Sequence, residues 1–114
     1  MSVEWVRRYC LSLPHTTETV QWGSDLVFKI GGKMYAVLVL VPAPVFLSLK
    51  STPEEAAELA EMPGIIPAPY LARSHWVSLE HEDALPTGEV KRLLRRSYDL
   101  IFEKLPKKTK AALA

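Results

Sequence analysis

The pattern of apolar and polar positions is most informative between Val27 and Leu40, where it predicts a β-hairpin. Aromatic, β-branched and aliphatic residues flank Gly31 and Gly32, and these glycines can adopt the positive φ angles that a two-residue turn requires. The continuous apolar run from Ala36 to Val41 predicts a strand that is covered on both faces and lies inside a sheet. The predicted register pairs Ile30 with Lys33, Phe28 with Tyr35, and Leu26 with Val37.

Helix starts are marked by Ser2, Thr52 and Thr87, each a candidate N-cap ahead of an apolar periodicity. Thr52 is followed by Pro53 and Glu55, which together have the sequence of a capping box. Three prolines within residues 63–76 indicate an ordered, extended loop. The patterns predict helices over residues 3–13, 53–62 and 87–105, a loop or short edge strand over 15–23, and strands over 45–50 and 76–79.

This order of elements, with strands joined as hairpins, indicates an α+β fold in which helices cover one face of an antiparallel sheet. The chain has 114 residues, of which 48% are hydrophobic. That length predicts a single domain over residues 1–114 with a core of ordinary size. The longest apolar stretch is too short to span a bilayer, and charges occupy the first ten residues. We therefore expect a cytoplasmic protein without a membrane segment.

The net charge of +1 conceals an uneven distribution. Residues 89–110 contain eight basic and three acidic side chains. Such a segment can attract nucleic acid or an acidic partner, or it can be the solvated face of a terminal helix. Residues 107–114 are expected to form a frayed basic tail.

No residue pattern predicts catalysis or metal binding. His15, His75 and His81 are scattered through predicted loops, and Cys10 lies on the apolar face of the first helix, so we expect no metal site. The serines lie in no nucleophile elbow, and Ser97 is expected to pack closely against the sheet. The sequence therefore favours a non-enzymatic protein without a cofactor, and a monomer.

Two binding hypotheses remain open. Basic residues beside aromatic ones suit nucleic acid, because cations pair with phosphates and rings stack on bases. Alternatively, a groove between the 63–76 loop and the sheet binds a protein or small ligand. A third interpretation involves no binding, and in it the lysines only keep the strand ends soluble. The candidate DNA contacts are Lys29, Gly31, Gly32, Lys33, Lys50 and Arg73, and the candidate anchors of the groove are Trp22, Tyr70 and Trp76.

Several segments resemble the MmcQ/YjbR family of small bacterial proteins: RRYCLSLPHTTETVQWG, FKIGGKMYA, PGIIPAPYLARSHWV and SYDLIFEKLPKK. The resemblance implies a frataxin-like (CyaY-like) two-layer α/β sandwich, in which helices back a curved antiparallel sheet, also described as a double-wing arrangement. It further implies DNA binding, since the family is commonly described as DNA-binding. It transfers no catalytic residue to this chain.

Overall fold

The structure, a computed structural model, describes residues 2–41 and 45–113. The strands of this part form one open antiparallel sheet in the order β1-β2-β3-β4-β6-β5. A single turn of 3-10 helix, Ala72–Ser74, precedes β6. The elements are α1 (Val3–Ser12), β1 (Thr17–Gln21), β2 (Asp25–Ile30), β3 (Lys33–Val39), β4 (Leu47–Lys50), α2 (Pro53–Leu59), β5 (Ile65–Pro67), β6 (Trp76–Leu79), α3 (Thr87–Glu103) and α4 (Lys107–Leu113).

The helices α1, α2 and α3 pack on one face of the sheet and bury the main core against it. This arrangement confirms the predicted α+β class with an antiparallel sheet backed by helices. It also confirms that β3 is an inner strand, with β2 on one side and β4 on the other, and that residues 17–21 form an edge strand. The largest fully buried side chains include Tyr35, Phe28, Ile30, Leu38, Leu47, Leu49, Leu93 and Leu94.

The hairpin has the predicted turn but not the predicted register beyond it. Gly31 and Gly32 have φ angles of +58° and +81°, and the residues that close the turn pair as predicted. A β-bulge then inserts one extra residue into β3, so that Tyr35 and Ala36 both join the main core. The expected pairings are therefore wrong by one residue: Phe28 pairs with Ala36, and Leu26 pairs with Leu38.

Ser97 closes the gap that this bulge opens between β3 and β4. Its hydroxyl donates to the carbonyl oxygen of Tyr35 at 2.6 Å and accepts from the backbone N–H of Lys50 at 3.0 Å. The residue is fully buried. The hydroxyl of one α3 side chain thus bridges backbone groups of β3 and β4. This confirms that the serine packs closely against the sheet, as expected.

Helix boundaries follow the predicted caps with small differences. The hydroxyls of Ser2 and Thr52 each accept a hydrogen bond from a backbone N–H of the first turn, at 3.1 Å in both cases. The helix α2 ends at Leu59 rather than near Met62, and Pro86 instead of Thr87 is the N-cap of α3. Within the loop predicted over residues 63–76, the structure forms the edge strand β5 beside β6.

The predicted frayed tail is instead the helix α4, as far as residue 113. Leu113 packs against the main core, and the turn of the hairpin lies against the start of α4. A Cβ atom on Gly31 would lie 2.7 Å from Cδ1 of Leu105 and 3.1 Å from Cγ2 of Thr109. Leu113 and the partly buried Thr109 are four positions apart, so they lie on the same side of this short helix. This side of α4 packs against the rest of the fold. Over residues 2–41 and 45–113, no helix is both long and apolar enough to cross a membrane.

Candidate functional site

The face of the sheet opposite the main core carries a second, smaller apolar cluster. Val27, Val37 and Trp76 project onto this face, and Ala68 packs against them. The segment 68–75 folds over part of the cluster, and the N–H of Ala68 donates to the carbonyl oxygen of Trp76 at 3.0 Å. The rest of this face, which we call the open face, is covered by no helix of the described residues.

A groove of about 520 Å³ lies on the open face, and two exposed aromatic residues line it. Trp22, in the turn between β1 and β2, is 65% exposed, and Tyr70, in the segment 68–75, is fully exposed. Among the described residues that line the groove, Asp25 alone has a charged side chain. We call this the aromatic groove, and its other lining residues are Met34, Val37, Val39, Val45, Ser48, Pro69 and Leu71.

Both aromatic residues have left-handed backbone conformations. The φ angles are +51° for Trp22 and +66° for Tyr70. Tyr70 follows Pro69 in a turn closed by a hydrogen bond from the N–H of Leu71 to the carbonyl oxygen of Ala68, at 3.1 Å. Glycine usually occupies such positions, because a side chain there costs about 1–2 kcal/mol. Tyr70 buries none of its ring in return, and Trp22 stays mostly exposed. Strained exposed residues of this kind concentrate at binding sites.

A second cavity of about 350 Å³ adjoins the groove, with which it shares Met34 and Leu71. Three lysines line it: Lys33 at the hairpin turn, Lys50 at the end of β4, and Lys104 at the end of α3. We call this cavity the lysine cleft. The structure therefore brings together two of the predicted DNA contacts and adds a third lysine that the sequence reasoning missed.

Lys50 is far more buried than a surface phosphate contact would be. Only 8% of the residue is exposed, and its Nζ donates to the carbonyl oxygen of Ser74 at 2.6 Å. Burial, together with the positive charge of Lys104, lowers the pKa of Lys50. Within residues 2–41 and 45–113, no acidic side chain lines the cleft to offset that charge.

The other predicted residues lie outside the lysine cleft. Lys29 is half-buried on β2, where it pairs with Met34, and Arg73 is exposed in the 3-10 turn. Gly31 and Gly32 form the hairpin turn, and of the two only Gly31 has side chains of another segment, Leu105 and Thr109, where a Cβ atom would lie. Trp76, predicted as an anchor, is 4% exposed and belongs to the smaller apolar cluster. Of the three predicted anchors, Trp22 and Tyr70 therefore remain available to a ligand in the aromatic groove.

Most of the basic side chains of α3 have partners on the helical layer. Arg92 forms ion pairs with Glu55 at 2.9 Å and with Glu89, and Arg95 pairs with Asp99 at 3.1 Å. Lys91 lies over the ring of Tyr9. The concentration of basic residues in the sequence therefore does not form one unpaired positive surface. Lys104 differs, because it reaches the lysine cleft instead.

A signal for Lys104 was present in the sequence. It follows Ser97 by seven residues and Ile101 by three, so all three lie on one stripe of a helix. Since Ser97 was expected to face the sheet, Lys104 could have been placed near the sheet as well. Asp25 carried no comparable signal, because its place in the groove depends on how the segment 68–75 folds.

The described residues contain no group of three or more His, Cys, Asp or Glu side chains that could hold a metal ion. Cys10 is fully buried, and its burial raises the pKa of the thiol to about 12. A thiol with that pKa is almost entirely protonated near neutral pH, so it is a poor nucleophile.

Curated proteins resemble this chain along nearly its whole length. The YbdF protein of Escherichia coli O157:H7 is 27% identical over 107 residues, which cover 92% of this chain and 88% of that protein. The YjbR protein of Escherichia coli strain K12 is 24% identical over 116 residues, which cover 99% of this chain and 98% of that protein. Both are named as uncharacterized proteins, so neither name brings an activity to this chain.

Solved structures share the fold. The crystal structure of protein DR2400 from Deinococcus radiodurans superposes with a TM-score of 0.87 at 34% identity, covering 98% of this chain and 87% of that one. A protein from Pseudomonas syringae superposes with a TM-score of 0.75 at 25% identity, covering 88% of this chain and 98% of that one. The frataxin-like and double-wing descriptions stay predictions.

A family model described as YjbR matches residues 11–100. This match spans most of the chain and includes β1 to β6 and most of α3. It confirms the resemblance that the sequence segments suggested. The chain belongs to the YjbR family.

Proposed function

We propose that this protein binds DNA through the open face of its sheet, in single-stranded form, and that it acts by binding and not by catalysis. The observation that carries the proposal is that two exposed aromatic residues, Trp22 and Tyr70, line one groove. Bases stack on such rings whatever their sequence, and each stacked base contributes about 1–3 kcal/mol.

Basic residues supply the second element of the proposal. Lys33 and Arg73 are exposed, and Lys29 is half-buried on β2. Of the three, Lys33 lines the cleft that adjoins the groove. Phosphates paired with these groups would release counterions, which gives binding a steep dependence on salt. A duplex suits this site less well, because paired bases do not present their faces to side chains on a groove.

The test is a fluorescence-anisotropy titration with a labelled oligo(dT) of about 12 nucleotides, at salt concentrations from about 50 to about 300 mM. The logarithm of the association constant should fall linearly with the logarithm of salt. Lys33→Ala should reduce the slope by about 0.7, the value for one phosphate contact of a single strand. Tyr70→Leu should weaken binding by about 5- to 150-fold at all salt concentrations.

Lys91→Ala is the matched control, since Lys91 lies over Tyr9 on the helical layer. It removes the same charge from the chain as Lys33→Ala and should leave the slope unchanged. Absence of binding at about 50 mM salt would disprove the proposal, because electrostatic affinity is strongest there. Tighter binding of a duplex than of the single strand would disprove the stacking role of the aromatic residues.

The lining of the aromatic groove favours a second candidate function, a site for an apolar segment of a partner protein. The floor contains Met34, Val37 and Val39, and Asp25 would repel a phosphate placed close to it. Binding of such a partner would depend weakly on salt and strongly on Tyr70. The dependence on salt separates the two functions, because an apolar protein segment, unlike a nucleic-acid strand, carries no condensed counterions to release on binding.

A further inference from the structure

The lysine cleft carries a concentration of positive charge that the chain itself does not neutralise. Among the described residues, no ion pair includes Lys33, Lys50 or Lys104, and the residues that line the cleft include no Asp or Glu. The arginines of α3 differ in this respect, since Arg92, Arg95 and Arg96 each lie within ion-pair distance of a carboxylate. Three lysines thus line the cleft, and the described residues supply no counter-charge to them.

Burial makes this arrangement costly for Lys50 in particular. A buried charge is tolerated when it is paired and hydrogen-bonded. Lys50 has one bond, from Nζ to the carbonyl oxygen of Ser74, although an ammonium group can donate three. The charged group that acts on the pKa of Lys50 is Lys104, which is also positive and lowers it further after burial. An anion from outside the chain would supply a counter-charge and would accept further hydrogen bonds from this ammonium group.

We propose that the lysine cleft is a phosphate-monoester site. A phosphate monoester carries a charge of about −1.5 to −2 near neutral pH and three acceptor oxygens, which suits a site with three ammonium groups better than a carboxylate does. The cavity of about 350 Å³ exceeds the volume of a phosphate group alone. The remaining space lies beside Trp76, Ile101 and Leu105, so the group that carries the phosphate meets an apolar wall.

This site does not depend on the proposed DNA binding, with which it shares only Lys33. The phosphate monoester has two possible sources, a small phosphorylated metabolite or the phosphorylated end of a nucleic-acid strand. Both present the same chemical group to the lysines. The cleft adjoins the aromatic groove through Met34 and Leu71, so a ligand with a phosphate and a planar ring could occupy both cavities.

The first experiment measures thermal unfolding of the full chain in inorganic phosphate and in chloride at equal ionic strength. With a dissociation constant of about 1 mM, phosphate at about 10 mM should raise the midpoint by about 5 °C. Phosphate also stabilises proteins in general by exclusion from their surfaces, so variants must identify the site. Lys104→Gln should abolish the increase, whereas Lys108→Gln, an exposed lysine of α4 outside the cleft, should retain it.

Lys50→Met is the second variant, and it should also abolish the increase. If its loss of a buried charge perturbs folding, Lys104→Gln still decides the outcome, because Lys104 is exposed at the end of α3. An equal increase in the parent chain and in Lys104→Gln would overturn the proposal. So would a midpoint that is the same in phosphate and in chloride.

The second experiment identifies the source of the phosphate by calorimetric titration with three probes. These are adenosine 5′-monophosphate, oligo(dT) with a 5′-phosphate, and the same strand with a 5′-hydroxyl. Binding of the nucleotide that Lys104→Gln removes supports a metabolite site, and a preference for the phosphorylated strand over the hydroxyl strand supports a strand end. The strand with a 5′-hydroxyl has no phosphate monoester, so its binding tests only the proposed DNA binding by the open face. Failure of the DNA-binding proposal can therefore be distinguished from failure of the phosphate-monoester site.

Discussion

Ser97 fills the gap in the sheet that the bulge at Tyr35 creates, and this position makes its hydroxyl testable. In Ser97→Ala, the buried N–H of Lys50 and the carbonyl oxygen of Tyr35 both lose their partner. We expect the free energy of unfolding to fall by about 1–3 kcal/mol, although alanine is the better helix former. Urea denaturation measures the change.

Glu103→Ala, an exposed position on the same helix, should leave stability nearly unchanged, and equal stability of the two variants would contradict the role of the hydroxyl.

Tyr70 leads to the opposite expectation for stability. Its ring is fully exposed and its φ angle is +66°, so Tyr70→Gly removes a strained conformation without removing a buried contact. The midpoint of unfolding should stay the same or rise, by an amount equivalent to up to about 1 kcal/mol. Binding to the oligonucleotide should weaken in the same variant. A marked loss of stability in thermal unfolding would show that the ring serves the fold and not a ligand.

Single residues with a local conformational requirement could be predicted from the sequence. The turn at Gly31 and Gly32 was predicted correctly, because two glycines between apolar strands are explained by a turn with positive φ. The N-cap at Thr52 was predicted correctly, because a cap depends only on neighbouring residues. Trp22 and Tyr70 were named as candidate anchors, but their left-handed conformations had no signal in the residue types. The burial of Lys50 was missed for a different reason, since the segment 68–75 provides its acceptor from a distant part of the chain.

The contact between the hairpin turn and α4 distinguishes two adjacent glycines. Both have positive φ, but a Cβ atom on Gly31 would collide with Leu105, whereas one on Gly32 would meet nothing within 4 Å. Gly32→Ala should therefore cost about 1–2 kcal/mol, from backbone strain alone. Gly31→Ala should cost about 1–3 kcal/mol more, because the buried Leu105 must move. Chemical denaturation of both variants measures the two costs, and each variant is the control for the other. Equal costs would show that Leu105 does not pack tightly on the turn.

Elements defined by local periodicity were predicted well, and those defined by long-range pairing were not. The helices α1 and α2 begin with side-chain caps, and α1 and α3 have apolar stripes, so each of these signals lies within or next to the segment itself. The register of the hairpin was wrong because the continuous apolar run after Tyr35 is compatible with either face of the strand, and the run does not reveal a bulge. The strand β5 was missed since it contains Pro67 and exists only through its pairing with β6.

The distribution of charge over the two layers could not be read from the sequence. Basic residues of the final segment looked like one surface, but α3 spreads them along a helix whose outer side carries acidic partners. The lysines of the sheet lie on other elements, and only Lys104 joins them. Burial and pairing in three dimensions therefore decide which basic groups are available to an anion, and net charge per segment does not.

Two variants with the same change in net charge test this division of the molecule. One replaces Lys29, Lys33 and Arg73 by glutamine, and the other replaces Arg92, Arg95 and Arg96 by glutamine. We expect the first to weaken binding of oligo(dT) by about 10- to 100-fold at low salt, because it removes cations near the proposed path of the strand. The second should change affinity by less than about twofold, although it removes exposed ion pairs that contribute up to about 1 kcal/mol each to stability.

Circular dichroism establishes that both variants are folded before anisotropy is measured. Equal losses of affinity would mean that the strand responds to total charge, and the open face would then not be its binding surface.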